Sequence, residues 1–520
     1  MSIEKNTPPV RAGQMLRSTS LMSLGTLVSR ILGFVRDVIF ARFFGTAAGA
    51  DAFVVAFRLP NLFRDIMGEG AANSSFVPVM TEYKEKKPQE VAAFLNSIFA
   101  WAVMILCAIT LFGILCAPWV VRLVAPGFAD EPGKVGLTVH LTQIMFPYLI
   151  FIGLTALFSA IQFTYGSFAM PAFGPCLLNI VLIVTTLGAV YWMKEPVMGL
   201  AWGVILGGVL QCYFQWLPLK KHGVRFAWTS VLMHPGAKQV GRLILPRIFG
   251  SAVYQLNIFV DTICASLVWI VGPGGIAAIY YANRVVQFPM GIFGVALASA
   301  ILPALSSRAV AEDNEGFKAT VVFGLKNILF LLLPMVVFLV VLAEPLVRVV
   351  FQRGKFDAYS TSVTAAALVF FALGLLGYGV VKILVSAFHA RQDTKTPVKV
   401  AVIALVVNAA CNVAFMFPLK VAGIALASAV ASVVNVVVLW VLLEKKIGGF
   451  GAQFRGFFSK LGLAGILQIL LVFGLWQWLG GISEIVRLPM VILAGAVVYF
   501  AACYALGIEQ ARQVNKIFNK

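Results

Sequence analysis

A chain of 520 residues with 60% hydrophobic and 12% charged residues cannot be a string of soluble domains, a disordered polymer or a secreted disulfide scaffold. Its mean hydropathy of +0.93 belongs to a protein dissolved in lipid, and at roughly 20 apolar residues per transmembrane helix about 14 spans fit. The net charge of +19 suggests nucleic acid only until the basic residues are placed along the chain.

Residues 1–17 read as a cytoplasmic tail. They lack an apolar segment ending at a small-residue cleavage site, so the first span is expected to stay in the mature chain. Spans follow at 18–44, 52–80, 92–124, 136–163, 171–193 and 197–219, an N-lobe over 18–222. A cytoplasmic linker at 223–241 leads to spans at 242–270, 277–307, 318–343, 360–388, 398–418 and 421–443, a C-lobe over 242–446. A second linker, 447–460, precedes spans at 461–479 and 488–507, and 508–520 is a cytoplasmic tail. The expected fold is an all-α polytopic membrane protein of about 14 helices, two six-helix lobes plus two C-terminal helices.

With these spans, 23 of the 40 Lys and Arg lie at the termini or in loops on the same side, and 8 lie opposite. That asymmetry is the positive-inside bias, which puts both termini in the cytoplasm of a bacterial inner membrane. The clusters at Lys84, Lys86 and Lys87, at Lys220, Lys221 and Arg225, and at Lys445 and Lys446 then read as topology signals that touch anionic lipid, with no nucleic-acid partner.

The seven cysteines (107, 116, 176, 212, 264, 411 and 503) sit in apolar runs without metal-ligand spacing, and His140, His222, His234 and His389 are scattered singly. No disulfide framework and no metal site follow from them.

Sliding the chain against itself by about 225 residues superposes Phe163 on Phe388, Pro78 on Pro303 and, one residue short, Arg58 on Arg284. At an offset of 224, Gly199–Gln211 lies over Gly423–Asn435, a small-residue strip in both. The two lobes are therefore expected to be parallel repeats, as in transporters built from two rocking halves.

The first spans carry charge where lipid would reject it. Residues 18–44 hold Arg30, Arg36, Asp37 and Arg42, with Ser29 just before the first arginine. Arg30 and Asp37, seven residues apart, share a helical face, while Arg36 lies about 120° away. Residues 51–79 hold Asp51, Arg58, Arg64, Asp65 and Glu69 beside Pro60 and Pro78, a helix that is either bent to line a cavity or kinked to fit its neighbours. Arg284, preceded by Asn283, is the lone charge of its span. Buried ionisable residues need partners or water. Arginine outnumbers carboxylate in these spans, so a cavity that takes an anion is weighed above purely structural bridges. No nucleotide-binding or hydrolase motif is present, and the loops are too short for a catalytic domain, which argues for a transporter and against an enzyme.

SRILGFVRD, ADAFVVAFRLPNLFRDIMGEGA, APGFAD, YYANRVVQFP, GVALASAILPALS and FHARQDTKTPVK together resemble the MurJ (MviN) lipid II flippases of the multidrug/oligosaccharidyl-lipid/polysaccharide exporter superfamily, from about residue 15 to 510. The resemblance implies a flippase that carries lipid II from the cytoplasmic to the periplasmic leaflet by alternating access of two lobes around a cationic cavity. It implies a lipid-tail groove formed by the last two helices at 461–507. Arg30, Arg36, Arg64 and Arg284 match the family's functional arginines, and Asp37, Asp51 and Glu69 its acidic positions; Ser29, Arg58 and Asn283 are added as polar support. The family often has acids where this chain has Asn283 and Gln287, which leaves Arg284 less neutralised. The implied partners are lipid II, the phospholipid bilayer and cell-wall synthesis proteins. No cofactor is implied, and the drive would come from an ion gradient or the membrane potential. The rivals are a cation-coupled multidrug exporter or an exporter of other polyprenyl-linked oligosaccharides on the same fold, and a structural scaffold for cell-wall enzymes.

Overall fold

The computed structural model describes residues 12–68, 71–228 and 232–518; side chains are described at 21–62, 75–228, 232–244 and 255–513. In chain order the helices are α1 (Ala12–Phe44), α2 (Ala48–Gly68), α3 (Ala71–Lys86), α4 (Val91–Val124), α5 (Lys134–Met145), α6 (Tyr148–Thr164), α7 (Ala169–Trp192), α8 (Pro196–Lys221), α9 (Pro235–Ser266), α10 (Val268–Val271), α11 (Gly275–Pro289), α12 (Ala296–Val310), α13 (Asn314–Val341), α14 (Ala343–Phe351), α15 (Ala358–Ala390), α16 (Lys395–Leu419), α17 (Val421–Ile447), α18 (Phe457–Trp478), α19 (Glu484–Ala505) and α20 (Glu509–Phe518).

Among the described residues, 11 helical stretches are long and apolar enough to cross a membrane. The remaining expected spans, 18–44, 52–80 and 242–270, are the charged ones, and their described residues fall in α1, in α2 and α3, and in α9 and α10. The fourth span is not one rod. It divides into α5 and α6 at Phe146 and Pro147, where proline supplies no amide to the helical ladder. Pro60 and Pro78, by contrast, lie inside continuous α2 and α3. The eighth span changes winding midway: Met290–Val295 is a π-helical stretch directly after Pro289, the kind of insertion that bends a helix.

The chain forms two units. The first comprises residues 1–40, 52–123 and 132–252. In it α7 and α6 both pack on α8, and α3 on α6. The small residues of α8 serve that contact, since a Cβ on Gly203 would collide with Thr185 on α7. The second unit comprises residues 41–51, 124–131 and 253–520. Its α16 and α15 both pack on α17, and α12 on α15. The same pairings therefore recur in helices about 225 residues apart, as a repeat requires.

In the second unit α18 and α19 pack on each other and on α13. Tyr499, fully buried, donates to the Phe330 carbonyl at 2.7 Å, and Arg487, 8% exposed, lies 3.8 Å over the Trp476 ring. The same unit takes in the turn at Pro126–Asp130. Gly127 donates its amide to Ser266 Oγ at 3.2 Å, and a Cβ there would strike the Ser266 backbone. Gly127→Ala should therefore lower membrane abundance and thermal stability while Gly136→Ala, which meets nothing, leaves both unchanged; fluorescence-detected size exclusion after a heating series reads the difference.

Candidate functional site

The charged residues of α1 are held by α7. Arg36 donates to Asp37 Oδ1 at 2.7 and 3.0 Å and to Asn179 Oδ1 at 3.0 Å. Asn179 in turn donates to the Ser29 carbonyl at 3.1 Å. The Asp37 side chain is 2% exposed and that of Arg36 12%. The structure thus joins Ser29, Arg36, Asp37 and Asn179 in one network, with the ion pair in the low-dielectric interior where it is strongest and hardest to break.

This corrects the pairing that helical spacing suggests. Asp37 is bridged by its neighbour Arg36 and not by Arg30, and Asn179 of α7 holds the same guanidinium by its side-chain oxygen. Arg30 is exposed and forms no ion pair among the described residues. Arg58 is half-buried on α2. The Arg64 and Asp65 side chains, and Glu69 entirely, lie outside the described residues.

Asp51 belongs to the second unit, where it caps a helix. The residue is 1% exposed and accepts the Ala277 amide at 2.8 Å, closing the first turn of α11. A carboxylate at that point satisfies an orphan amide and faces the positive end of the helix. Tyr281, fully buried in the same helix, donates to the Gly45 carbonyl at 2.9 Å, and Thr46 and Ser360 share a hydrogen bond of 2.9 Å. The family-matched acid at position 51 therefore anchors the stretch at 41–51 to α11. Replacing Asp51 by Ala should cost on the order of 0.5–2 kcal/mol, as other lost caps do, and Asn should recover part of it; a thermal melt of the purified variants checks this.

On α11, Arg284 stands over the Tyr280 ring at 5.0 Å and donates to its hydroxyl at 3.2 Å. Asn283 and Gln287, at the two positions where the family often has acids, are one helical turn apart and bond to each other at 2.9 Å. Gln287 donates to the Asn283 side-chain oxygen, and the pair adds no negative charge beside Arg284.

A further cluster went unread in the sequence. Asp261 on α9 is 9% exposed and receives Asn408 and Asn412 of α16 on one oxygen, each at 2.8 Å, and Ser428 of α17 on the other at 3.1 Å. The side-chain carbonyls of Asn408 and Asn412 are buried without a hydrogen-bond partner. The visible signal was a pair of asparagines four residues apart in an apolar span. Among the described residues no group of three or more His, Cys, Asp or Glu could hold a metal ion, and all seven cysteines are free.

Outside the spans, Asp393 in the FHARQDTKTPVK turn accepts the Thr396 amide at 2.9 Å and hydroxyl at 2.7 Å and pairs with Lys446. Burial pushes its carboxyl up, but those bonds outweigh it and hold the group well below the usual range. This motif thus ties the start of α16 to the end of α17.

The family profile described as "Lipid II flippase MurJ" matches residues 40–488. A curated relative, "Lipid II flippase MurJ" of Burkholderia cenocepacia, is 35% identical over 514 residues, covering 96% of this chain and 98% of that protein. "Probable lipid II flippase MurJ" of Vibrio cholerae is 35% identical over 520 residues, covering 95% and 97%. The solved structure titled "Lipid II flippase MurJ, inward closed conformation" aligns with a TM-score of 0.79 at 28% identity, over 93% of this chain and 97% of that one. An inward-facing multidrug resistance MATE family transporter aligns with a TM-score of 0.69 at 14% identity, over 83% and 98%, a likeness of fold alone.

Proposed function

The chain belongs to the lipid II flippase MurJ family, and we propose that it moves lipid II across the bacterial inner membrane by alternating access of its two lobes. The supporting observation is the near-full-length match to named flippases combined with deep arginines on both units. Arg30, Arg36, Arg64 and Arg284 engage the diphosphate and head group during the cycle, since guanidinium groups offer planar, two-pronged donors to phosphate oxygens. The multidrug-exporter alternative rests on fold likeness alone and would call for carboxylates facing cationic drugs.

Both termini and the loops at 84–88, 220–240, 312–317 and 445–456 face the cytoplasm, following the basic-residue asymmetry. Cysteines placed singly in those loops of a cysteine-free variant should resist an impermeant thiol reagent in intact cells, while those at 126–134, 272–275 and 350–357 react. Labelling at 84–88 without permeabilisation would reverse the orientation. The α18–α19 hairpin holds the polyprenyl tail, and cell-wall synthesis proteins that consume lipid II are the partners expected on the far side.

For the drive, we propose an ion gradient read at Asp261. Its buried carboxylate, which Asn408, Asn412 and Ser428 all face with donors, is the charged polar centre of this lobe that such a coupling would use. Expression of the chain in a bacterium depleted of its own lipid II flippase tests the function: growth and peptidoglycan synthesis should resume, and continued lysis would refute it.

A further inference from the structure

A cavity of about 810 Å³ opens in the first unit among α4, α6, α8 and the segment that follows α8. Its size falls within the roughly 300–1,000 Å³ of pockets that hold small ligands. The wall is aromatic. Phe226, from the segment after α8, stacks on Phe99 of α4 at 4.7 Å between ring centres and on Phe158 of α6 at 5.3 Å. One end is cationic, with Lys220 and Arg225 both at the lining. Lys220 is drawn over the Trp216 ring at 3.7 Å, so its ammonium stays at the cavity and does not extend away. Among the described lining residues there is no carboxylate, and neither cation forms an ion pair.

The segment that roofs this cavity is strapped to α4. The Ala227 amide donates to Asn96 Oδ1 at 2.9 Å, and Ser97 and Trp101 both donate to the Leu232 carbonyl, at 2.9 and 2.8 Å. Along the strap Trp228 and Met233 are 66% and 81% exposed. Apolar side chains laid out beside Lys220, Lys221 and Arg225 place the strap at a membrane interface, where aromatic and basic residues gather. The cavity therefore reaches from headgroup level into the hydrocarbon.

An aromatic trough with two unneutralised cations at its interfacial end matches an amphiphile that has an apolar chain and a phosphate. We propose that this cavity is a binding site for an anionic glycerophospholipid of the leaflet in which α8 ends, the acyl chain lying along Phe158, Phe226 and Trp216 and the phosphate meeting Lys220 and Arg225. Basic pockets between transmembrane helices select such headgroups. The two residues thus act as a lipid site in addition to their weight in topology. The assignment is independent of the arginines proposed for lipid II.

The test uses the full-length chain in phosphatidylcholine nanodiscs doped with brominated phosphatidylglycerol or brominated phosphatidylcholine. Bromine quenches indole emission on contact, and subtracting a Trp216→Phe variant isolates Trp216. Brominated phosphatidylglycerol should quench Trp216 at about tenfold lower mole fraction than brominated phosphatidylcholine. That preference should fall in Arg225→Gln and vanish in Lys220→Gln/Arg225→Gln, whose exposed substitutions leave the elution profile unchanged. Equal quenching by the two lipids in the unmodified chain, or a preference that survives the double substitution, would overturn the assignment. Displacement of brominated phosphatidylglycerol by an equal amount of undecaprenyl phosphate would overturn it too, in favour of a polyprenyl occupant.

Discussion

Arg30→Ala is expected to abolish lipid II flipping while membrane abundance stays normal. Arg30 is exposed and bridges no carboxylate among the described residues, so its removal strands no buried charge. Lysine should restore flipping only in part, because it keeps the charge and loses the planar donor pair. Arg36 behaves differently, since it is committed to buried Asp37 and to Asn179. Its loss leaves a carboxylate uncompensated, a defect of about 3–5 kcal/mol in buried pairs, so Arg36→Ala should lower abundance and flipping together. Adding Asp37→Asn should return the abundance and not the flipping. Quantitative immunoblotting of membranes beside a lipid II translocation assay separates the effects; normal flipping in Arg30→Ala would remove Arg30 from the substrate site, and recovered flipping in the double variant would assign Arg36 to structure alone.

Asp261→Asn is the second large effect. The substitution keeps size and shape but removes the charge that would hold a cation, and it places an amide beside Asn408 and Asn412, which already donate to that site. Flipping should lose its acceleration by an imposed cation gradient, and its rate should fall severalfold or more, while the driven rate in the unmodified chain responds to the gradient. Asp261→Ala should in addition lower stability, since it deprives three buried donors of their acceptor at about 1–3 kcal/mol per orphaned group. Gradient-jump measurements in vesicles read the coupling; an unaltered gradient response in Asp261→Asn would place the coupling elsewhere.

The sequence made the long apolar spans legible because an uncharged run such as that from Val421 to Leu443 admits no other reading in a chain of this composition. The charged spans at α1, α2 and α9 were legible as helices that need company, but not what that company is. Arg36 meets Asn179 across 143 residues and Asp51 meets Ala277 across 226, and no local pattern encodes contacts of that separation. Helical spacing therefore set Asp37 on the face of Arg30, and neither spacing nor the family resemblance showed that Asp51 caps α11. The break at Pro147 could have been read from proline chemistry; the π-helical stretch after Pro289 could not, since its extra residue per turn leaves no mark in composition. Asn408, Asn412 and Ser428 were hidden for another reason: single amides and hydroxyls in apolar spans are common, and only convergence on Asp261 marks them out.

Translocation itself can be read by reconstituting the purified chain into phospholipid vesicles with labelled lipid II in both leaflets and following its exposure to an external enzyme that cleaves the head group. Lipid II initially in the inner leaflet should become accessible with the unmodified chain, and Arg30→Ala should leave it as protected as in protein-free vesicles. Protection that persists with the unmodified chain, under an imposed cation gradient as well as a membrane potential, would contradict the proposed transport of lipid II.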